Sequence, residues 1–132
     1  MLLKISVYKS AESDFECAIK LKPDFYEAYL NKGEIKFSLL NYQGAIDNYS
    51  FVISNIQTAK EVMTFESKLN YVYALRANAF KKLSRFEDAI GDLSKEIQLN
   101  NFDIASTYGN RGEIKIKIGD LQGAIVDFDK AI

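Results

Sequence analysis

The side chains of this chain that could take part in chemistry are carboxylates, amides and one thiol, because its 132 residues include no histidine. Without imidazole, histidine-cysteine metal sites, histidine-activated nucleophiles and histidine pH switches are excluded. Cys17 is the sole cysteine, so no intrachain disulfide can form, which is ordinary for a reducing compartment. We interpret it as an idle or packed thiol. The sequence therefore predicts no catalytic residue, no metal site and no cofactor.

The charge balance narrows the class of partner. Seventeen basic and 18 acidic residues leave a formal net charge of −1, which argues against a nucleic-acid footprint and against a polybasic membrane patch. The apolar run at residues 1–3 is ended by Lys4 and is too short for a signal peptide or a membrane span. We expect a cytoplasmic protein that binds neither nucleic acid nor membranes.

The elements that position these side chains form an internal repeat. Residues 29–36 and 108–115 agree at six of eight places, and an Ala-Ile pair follows each at the same distance. Matching small residues occur at Ala11, Ala45, Ala89 and Ala124, with spacings of 34, 44 and 35. A period in this range is typical of stacked helical hairpins. The longer spacing predicts an insertion of about ten residues, which we place in a helical segment at about 57–69.

Apolar residues within each repeat recur at intervals of three and four, as on one face of a helix. Asn41 and Asp120 stand at the start of second helices and are predicted N-caps. Residues 58–61 have the form of a capping box, which predicts an early start for the following helix. Pro23 is predicted to follow the end of the first helix. The short connections require antiparallel neighbours.

These repeats resemble the tetratricopeptide repeat, which has an aromatic and then a small residue on its first helix, and an aromatic or leucine, alanine, aromatic and alanine on its second. The corresponding residues are Tyr8, Ala11, Phe15, Ala18 and Pro23; Tyr29, Gly33, Tyr42, Ala45, Tyr49 and Val52; Tyr73, Ala77, Phe86, Ala89, Leu93 and Glu96; and Tyr108, Gly112, Leu121, Ala124, Phe128 and Ala131. Glu96 departs from the pattern, because the family has a small residue there.

The resemblance implies an all-α fold, an α-solenoid of antiparallel helix pairs stacked as a right-handed superhelix. It also implies a single domain at 1–132, with a partial repeat at 1–25, full repeats at 26–59 and 70–103, and a repeat at 105–132 that is truncated at its end. Glycine or alanine on the first helices is expected to face Ala45, Ala89 and Ala124 on the second helices at close approach.

First helices of such a stack line a concave groove, so the resemblance implies a protein or peptide partner. The groove residues that it implies are Glu27, Leu30, Asn31, Glu34, Phe37, Tyr71, Ala74, Leu75, Asn78, Lys82, Ser106, Gly109, Asn110, Glu113 and Lys117. The asparagines are the sharpest candidates, since an amide can donate to and accept from an extended peptide. The alternative is that they only solvate the helix face or bond a neighbouring repeat.

Members of this family that bind chaperone C-terminal tails use a clamp of basic residues and amides. The corresponding positions here are Leu30, Glu34, Leu75, Ser106 and Asn110, and none is basic. We therefore expect that a chaperone tail is not the ligand.

Two rival functions remain at the level of sequence. The apolar stripe that contains Ile125, Phe128 and Ile132 runs to the end of the chain, which predicts either a segment of a longer repeat array or self-association through the chain ends as a homo-oligomer. An enzyme would need paired carboxylates, but Glu34 and Glu113 are two repeats apart, roughly 20 Å for helix layers of about 10 Å. Glycosidase carboxylates lie about 5–10 Å apart. We therefore expect a binding module and not an enzyme.

Overall fold

The computed structural model describes residues 2–21, 26–56, 66–99 and 104–132. Within these ranges it contains seven helices and no strand, so the predicted all-α fold class is confirmed. The helices are α1 (Leu2–Leu21), α2 (Tyr26–Ser38), α3 (Tyr42–Ile56), α4 (Glu66–Lys82), α5 (Phe86–Leu99), α6 (Ala105–Lys117) and α7 (Leu121–Ala131).

The chain divides into two compact units, Met1–Thr58 and Ala59–Ile132, which we call unit 1 and unit 2. In unit 1, α2 packs against α1 and α3, and in unit 2 each helix packs against the next one along the chain. Short turns join α2 to α3, α4 to α5 and α6 to α7, as predicted for antiparallel pairs. The single-domain organisation and its repeat boundaries stay predictions.

Several predictions about helix ends concern residues outside the described ranges. The capping box at 58–61 and most of the insertion at 57–69 lie outside the described residues, and α4 begins at Glu66. Pro23 also lies outside them, while α1 ends at Leu21.

Three turns share one backbone conformation. The residues Leu40, Ser84 and Gly119, each two positions past a first helix, have φ values of 64°, 58° and 85°. Only the third is glycine, the residue that adopts this left-handed conformation without steric cost. At Leu40 and Ser84 the turn is therefore formed against the intrinsic preference of the residue.

Two of the second helices begin with the predicted N-caps. The backbone N–H of Gly44 donates to Asn41 Oδ1 at 3.0 Å, and that of Gly123 donates to Asp120 Oδ1 at 3.0 Å. Each cap satisfies a backbone donor that the first turn of a helix leaves unpaired.

Small residues let the paired helices approach closely. Ala45, Ala89 and Ala124 are buried in their pairs. The atoms nearest to a Cβ added at Gly33 belong to the Tyr49 ring, with Cε1 at 2.6 Å, one helical turn beyond Ala45. The missing side chain therefore makes room for an aromatic ring one turn beyond the predicted alanine.

Candidate functional site

An open pocket of about 340 Å³ lies where α4, α5 and α6 of unit 2 meet. It is lined by Ala74, Leu75, Ala77, Asn78, Lys81, Leu93, Glu96, Ser106, Thr107, Asn110 and Ile114. The structure thus brings five of the predicted groove residues of unit 2 to one place: Ala74, Leu75, Asn78, Ser106 and Asn110.

The pocket combines apolar walls with exposed amides. Ala77, Leu93 and Ile114 are buried and form part of its lining. Asn78 on α4 and Asn110 on α6 are exposed to solvent at the same pocket. Such a surface can bury an apolar side chain and can also offer hydrogen bonds to a peptide backbone.

Glu96 on α5 places a carboxylate in this pocket. Its Oε1 accepts a hydrogen bond from Thr107 Oγ1 of α6 at 3.1 Å, and Thr107 itself is buried. Burial raises the pKa of Glu96 above its ordinary value, and the hydrogen bond from Thr107 opposes that rise only in part. The position that is Val52 and Ala131 in two other repeats therefore holds a half-buried acidic group in this one.

Paired charges fix the helices around the pocket. Arg76 on α4 donates from Nε and Nη2 to both carboxylate oxygens of Asp92 on α5, at 2.8 and 2.7 Å. Arg111 on α6 makes the same two bonds to Asp127 on α7, also at 2.8 and 2.7 Å. Bidentate pairs of this kind set both the distance and the orientation of the two side chains, so each pair holds together the two helices of a repeat. We call them the Arg76 clasp and the Arg111 clasp.

The Arg111 clasp also reaches the neighbouring repeat. Its Nη1 donates to Ser94 Oγ on α5 at 2.9 Å, and Lys115 Nζ lies 3.0 Å from Asp127 Oδ2. Burial of Asp127 disfavours its charge, but the hydrogen bonds from Arg111 and Lys115 outweigh that effect and hold its pKa below the ordinary value. Asp127 is therefore a buried charge that depends on two cations.

The sequence analysis missed both clasps. Arginine and aspartate stand 16 residues apart in each, and the second clasp follows the first by 35 residues, the same interval that separates Ala89 from Ala124. That repeated spacing was the available signal. Unit 1 has Lys32 and Asn48 at the matching places. Lys32 pairs instead with Glu16 of α1 at 3.0 Å, and the buried Asn48 Nδ2 has no hydrogen-bond partner among the described residues.

The other predicted groove residues of unit 2 lie outside the lining of the pocket. Tyr71, Lys82, Glu113 and Lys117 are exposed. Lys117 Nζ, at the end of α6, lies 5.9 Å from the centre of the Phe86 ring at the start of α5. Their exposure is compatible with contact to a partner, but nothing in the described structure joins them to the pocket.

Unit 1 has a shallower cavity of about 320 Å³ between α1 and α2. Asn31 and Glu34 line it together with Tyr8 and Phe15 of α1. Three further predicted groove residues of this unit were Glu27, Leu30 and Phe37.

Leu30 differs from the expectation of an accessible groove residue. It is only 6% exposed, because it forms part of the core where α2 packs between α1 and α3. Phe37 is half-buried with its ring 5.0 Å from that of Tyr42, and Glu27 is half-buried at the start of α2. Of these three, Leu30 is the buried one, and it does not line the cavity of unit 1.

The residues predicted for self-association differ in their exposure to solvent. Ile125 on α7 is 53% exposed, and Ile132 is fully exposed. Phe128 is half-buried, because its ring covers Gly112, where an added Cβ would lie 3.0 Å from Cε1. Phe128 therefore holds α6 against α7, and its role in self-association stays a prediction.

Two features are absent from the described residues, a metal centre and a membrane-spanning helix. No group of three or more cysteine, aspartate or glutamate residues there is arranged to hold a metal ion. None of the described helices has both the length and the apolar character needed to cross a bilayer.

Comparisons with known proteins agree with this architecture. The family model for the tetratricopeptide repeat matches residues 105–132, which are α6 and α7 with their flanking residues. No curated protein sequence matches the chain.

Solved structures show the same fold at low sequence identity. MamA from Desulfovibrio magneticus RS-1 matches with a TM-score of 0.77 and 19% identity, over 98% of this chain and 67% of that one. A further MamA structure gives a TM-score of 0.78 and 21% identity, over 98% and 64% of the two chains.

BtubC from P. vanneervenii matches with a TM-score of 0.70 and 12% identity, over 97% of this chain and 54% of that one. The chain thus spans about two thirds of the MamA structures and about half of BtubC. Residues 105–132 thus match the tetratricopeptide repeat, and the chain shares the fold of these solved structures, which supports the predicted resemblance.

Proposed function

We propose that the chain is a non-catalytic interaction module that binds an extended peptide segment of a partner protein in the pocket of unit 2. The observation that carries the proposal is the pair of exposed amides, Asn78 and Asn110, that consecutive first helices present at one partly apolar pocket. The tetratricopeptide-repeat fold, which belongs to a family of interaction modules, supports a role in protein binding.

An extended peptide has backbone donors and acceptors that no element of its own satisfies. An asparagine amide can donate to a carbonyl and accept from an N–H, so two of them can hold a strand whatever its sequence. Leu75 and Leu93, which also line the pocket, offer apolar surface to a side chain of the peptide. The clasps of Arg76 and Arg111 hold the three helices in place before binding, which lowers the entropic cost of association.

The proposal favours an internal segment over a chain terminus. A terminal carboxylate needs basic partners, and Lys81 is the one cation among the residues that line the pocket. Glu96 in the same pocket repels a carboxylate. The prediction that chaperone tails are not ligands stays a prediction and agrees with this chemistry. A cytoplasmic location likewise stays a prediction from composition.

The test uses peptides selected from a randomised display library on the full chain. Asn78→Ala with Asn110→Ala should weaken binding of the selected peptides about 5- to 150-fold, since each of the two lost hydrogen bonds is worth about 0.5–1.5 kcal/mol. Gln122→Ala removes an exposed amide from α7, away from the pocket, and should leave the dissociation constant unchanged. The proposal fails if the paired variant binds the peptides as the wild type does.

A second candidate function is self-association, because one face of α7 is apolar and exposed. Leu121, Ile125 and Val126 are 59%, 53% and 51% exposed, and such a surface favours contact with another chain. Ile125→Glu should lower the mass measured by light scattering if this face joins two copies. A strict monomer for the wild-type chain at tens of micromolar would rule this function out.

A further inference from the structure

The carboxylate of Glu96 is an unusual group for the wall of an interaction pocket, because it is half-buried and few polar groups offset the cost of removing its charge from water. Its single hydrogen bond among the described residues is the one from Thr107 to Oε1. The other oxygen, Oε2, accepts none from them. Buried charges are normally paired with an opposite charge, since removal from water is costly.

Three cations on the helices that flank α5 are already paired with other carboxylates. Arg76 is paired with Asp92, and Arg111 and Lys115 are paired with Asp127. Lys81 lines the same pocket, but it forms no ion pair with Glu96 or with any other described residue. No described residue of unit 2 therefore supplies a cationic partner for this carboxylate.

We propose that the pocket of unit 2 selects peptide segments that carry a lysine or arginine, whose cationic group binds Glu96 while Asn78 and Asn110 hold the peptide backbone. This inference rests on the proposed function and adds the chemistry of the partner. Thr107 donates to Oε1 and leaves Oε2 for the incoming donor.

The lining of the pocket suits the rest of such a side chain. Leu75, Leu93 and Ile114 provide apolar surface for the methylene stem of a lysine or arginine, which is ordinarily buried along such surface while its head reaches a polar group. The raised pKa of Glu96, which results from burial, agrees with a carboxylate that gains from a cationic partner.

The experiment measures binding of display-selected peptides to the full chain by calorimetry. The selected peptides should share a lysine or arginine. Exchange of that residue for norleucine, which keeps the stem and removes the charge, should weaken binding roughly 10- to 100-fold, the range for a charged hydrogen bond. In Glu96→Gln, which keeps the size and the acceptor for Thr107, the same exchange should have less than about a threefold effect.

Two further measurements keep the test decisive. Glu113→Gln changes an exposed carboxylate on α6 outside the pocket lining and should retain the full effect of norleucine. If Glu96→Gln does not fold, the salt dependence of the wild-type chain replaces it. Added salt should weaken the lysine peptide more than its norleucine form, because screening acts on the charge pair.

The outcomes separate this inference from the proposed function. If peptides bind through Asn78 and Asn110 but carry no basic residue, or if norleucine has the same effect in Glu96→Gln as in the wild type, the inference about Glu96 is wrong and the proposed function stands. Selection of acidic peptides, with Lys81 as their partner, would likewise overturn it. If no peptide binds, or if binding is indifferent to the two asparagines, both proposals fall.

Discussion

Replacement of Gly33 by alanine should destabilise the chain, although alanine is the better helix former. An added Cβ would lie 2.6 Å from Cε1 of Tyr49 and 3.1 Å from Cδ1 and Cζ. Tyr49 is only 1% exposed, so its ring cannot move into solvent without loss of core contacts. Overpacking of this kind costs about 1–3 kcal/mol, and the gain in helix propensity offsets about 1 kcal/mol of it.

The net expectation for Gly33→Ala is a loss of up to about 2 kcal/mol in the free energy of unfolding. Gly109→Ala on α6 is the matched control, because no atom lies within 4 Å of its added Cβ, and it should stabilise by about 0.5–1 kcal/mol. Gly112→Ala should fall between them, since the Phe128 ring that it meets at 3.0 Å is only half-buried.

The assay is urea unfolding followed by circular dichroism, with the free energy taken from the linear extrapolation. The expected order of stability is Gly109→Ala, then Gly112→Ala, then Gly33→Ala. A Gly33→Ala chain as stable as Gly109→Ala would refute the reasoning, because it would mean that close approach to the Tyr49 ring does not constrain this position.

Three further predictions concern the turns and the charges of unit 2. Ser84→Gly should stabilise by about 1 kcal/mol in urea unfolding, because it relieves the positive φ of 58°; no gain would contradict this. Asp127→Asn should cost about 3–5 kcal/mol, since it leaves Arg111 without its buried partner, whereas Asp88→Asn in the exposed pair with Arg85 should cost at most about 1 kcal/mol. Equal losses in the free energy of unfolding would show that burial does not determine how much these ion pairs stabilise the chain.

The third of these concerns pH. The pKa of Asp127 is lowered on folding, so its stabilisation is present above the ordinary value of 3.8 and is lost as the pH falls through the folded pKa. The pKa of Glu96 is raised, so stability should decrease as the pH rises from 4.5 through the folded pKa. Glu96→Gln should remove that decrease, and an unchanged pH profile of unfolding would contradict the assignment.

The sequence predicted the local features of the fold well because they depend on neighbouring residues. Asn41 and Asp120 cap helices through backbone donors three residues away, so their type and position suffice. The helix pairs follow from the apolar spacing within each repeat. The Arg111 clasp was missed, since its partners Asp127 and Ser94 lie on two other helices. Their contact depends on how α6 packs against both neighbours.

The candidate site was predicted less completely. Asn78 and Asn110 were expected at a groove and line one pocket. Leu30 was expected there too, but it is buried, because the packing of α2 against both α1 and α3 was not determined by the repeat pattern. Glu96 was noted only as a departure from the residue pattern of the family. The hydrogen bond that it accepts from Thr107 depends on the packing of α5 against α6, which a single sequence does not reveal.

The measurement that tests the central claim most directly is a nuclear magnetic resonance titration of the labelled chain with a display-selected peptide. Binding in the pocket predicts that the largest shift changes occur at the side-chain amides of Asn78 and Asn110 and at the backbone of Glu96 and Thr107. Changes confined to the exposed face of α7 around Ile125, with those four residues unmoved, would contradict it.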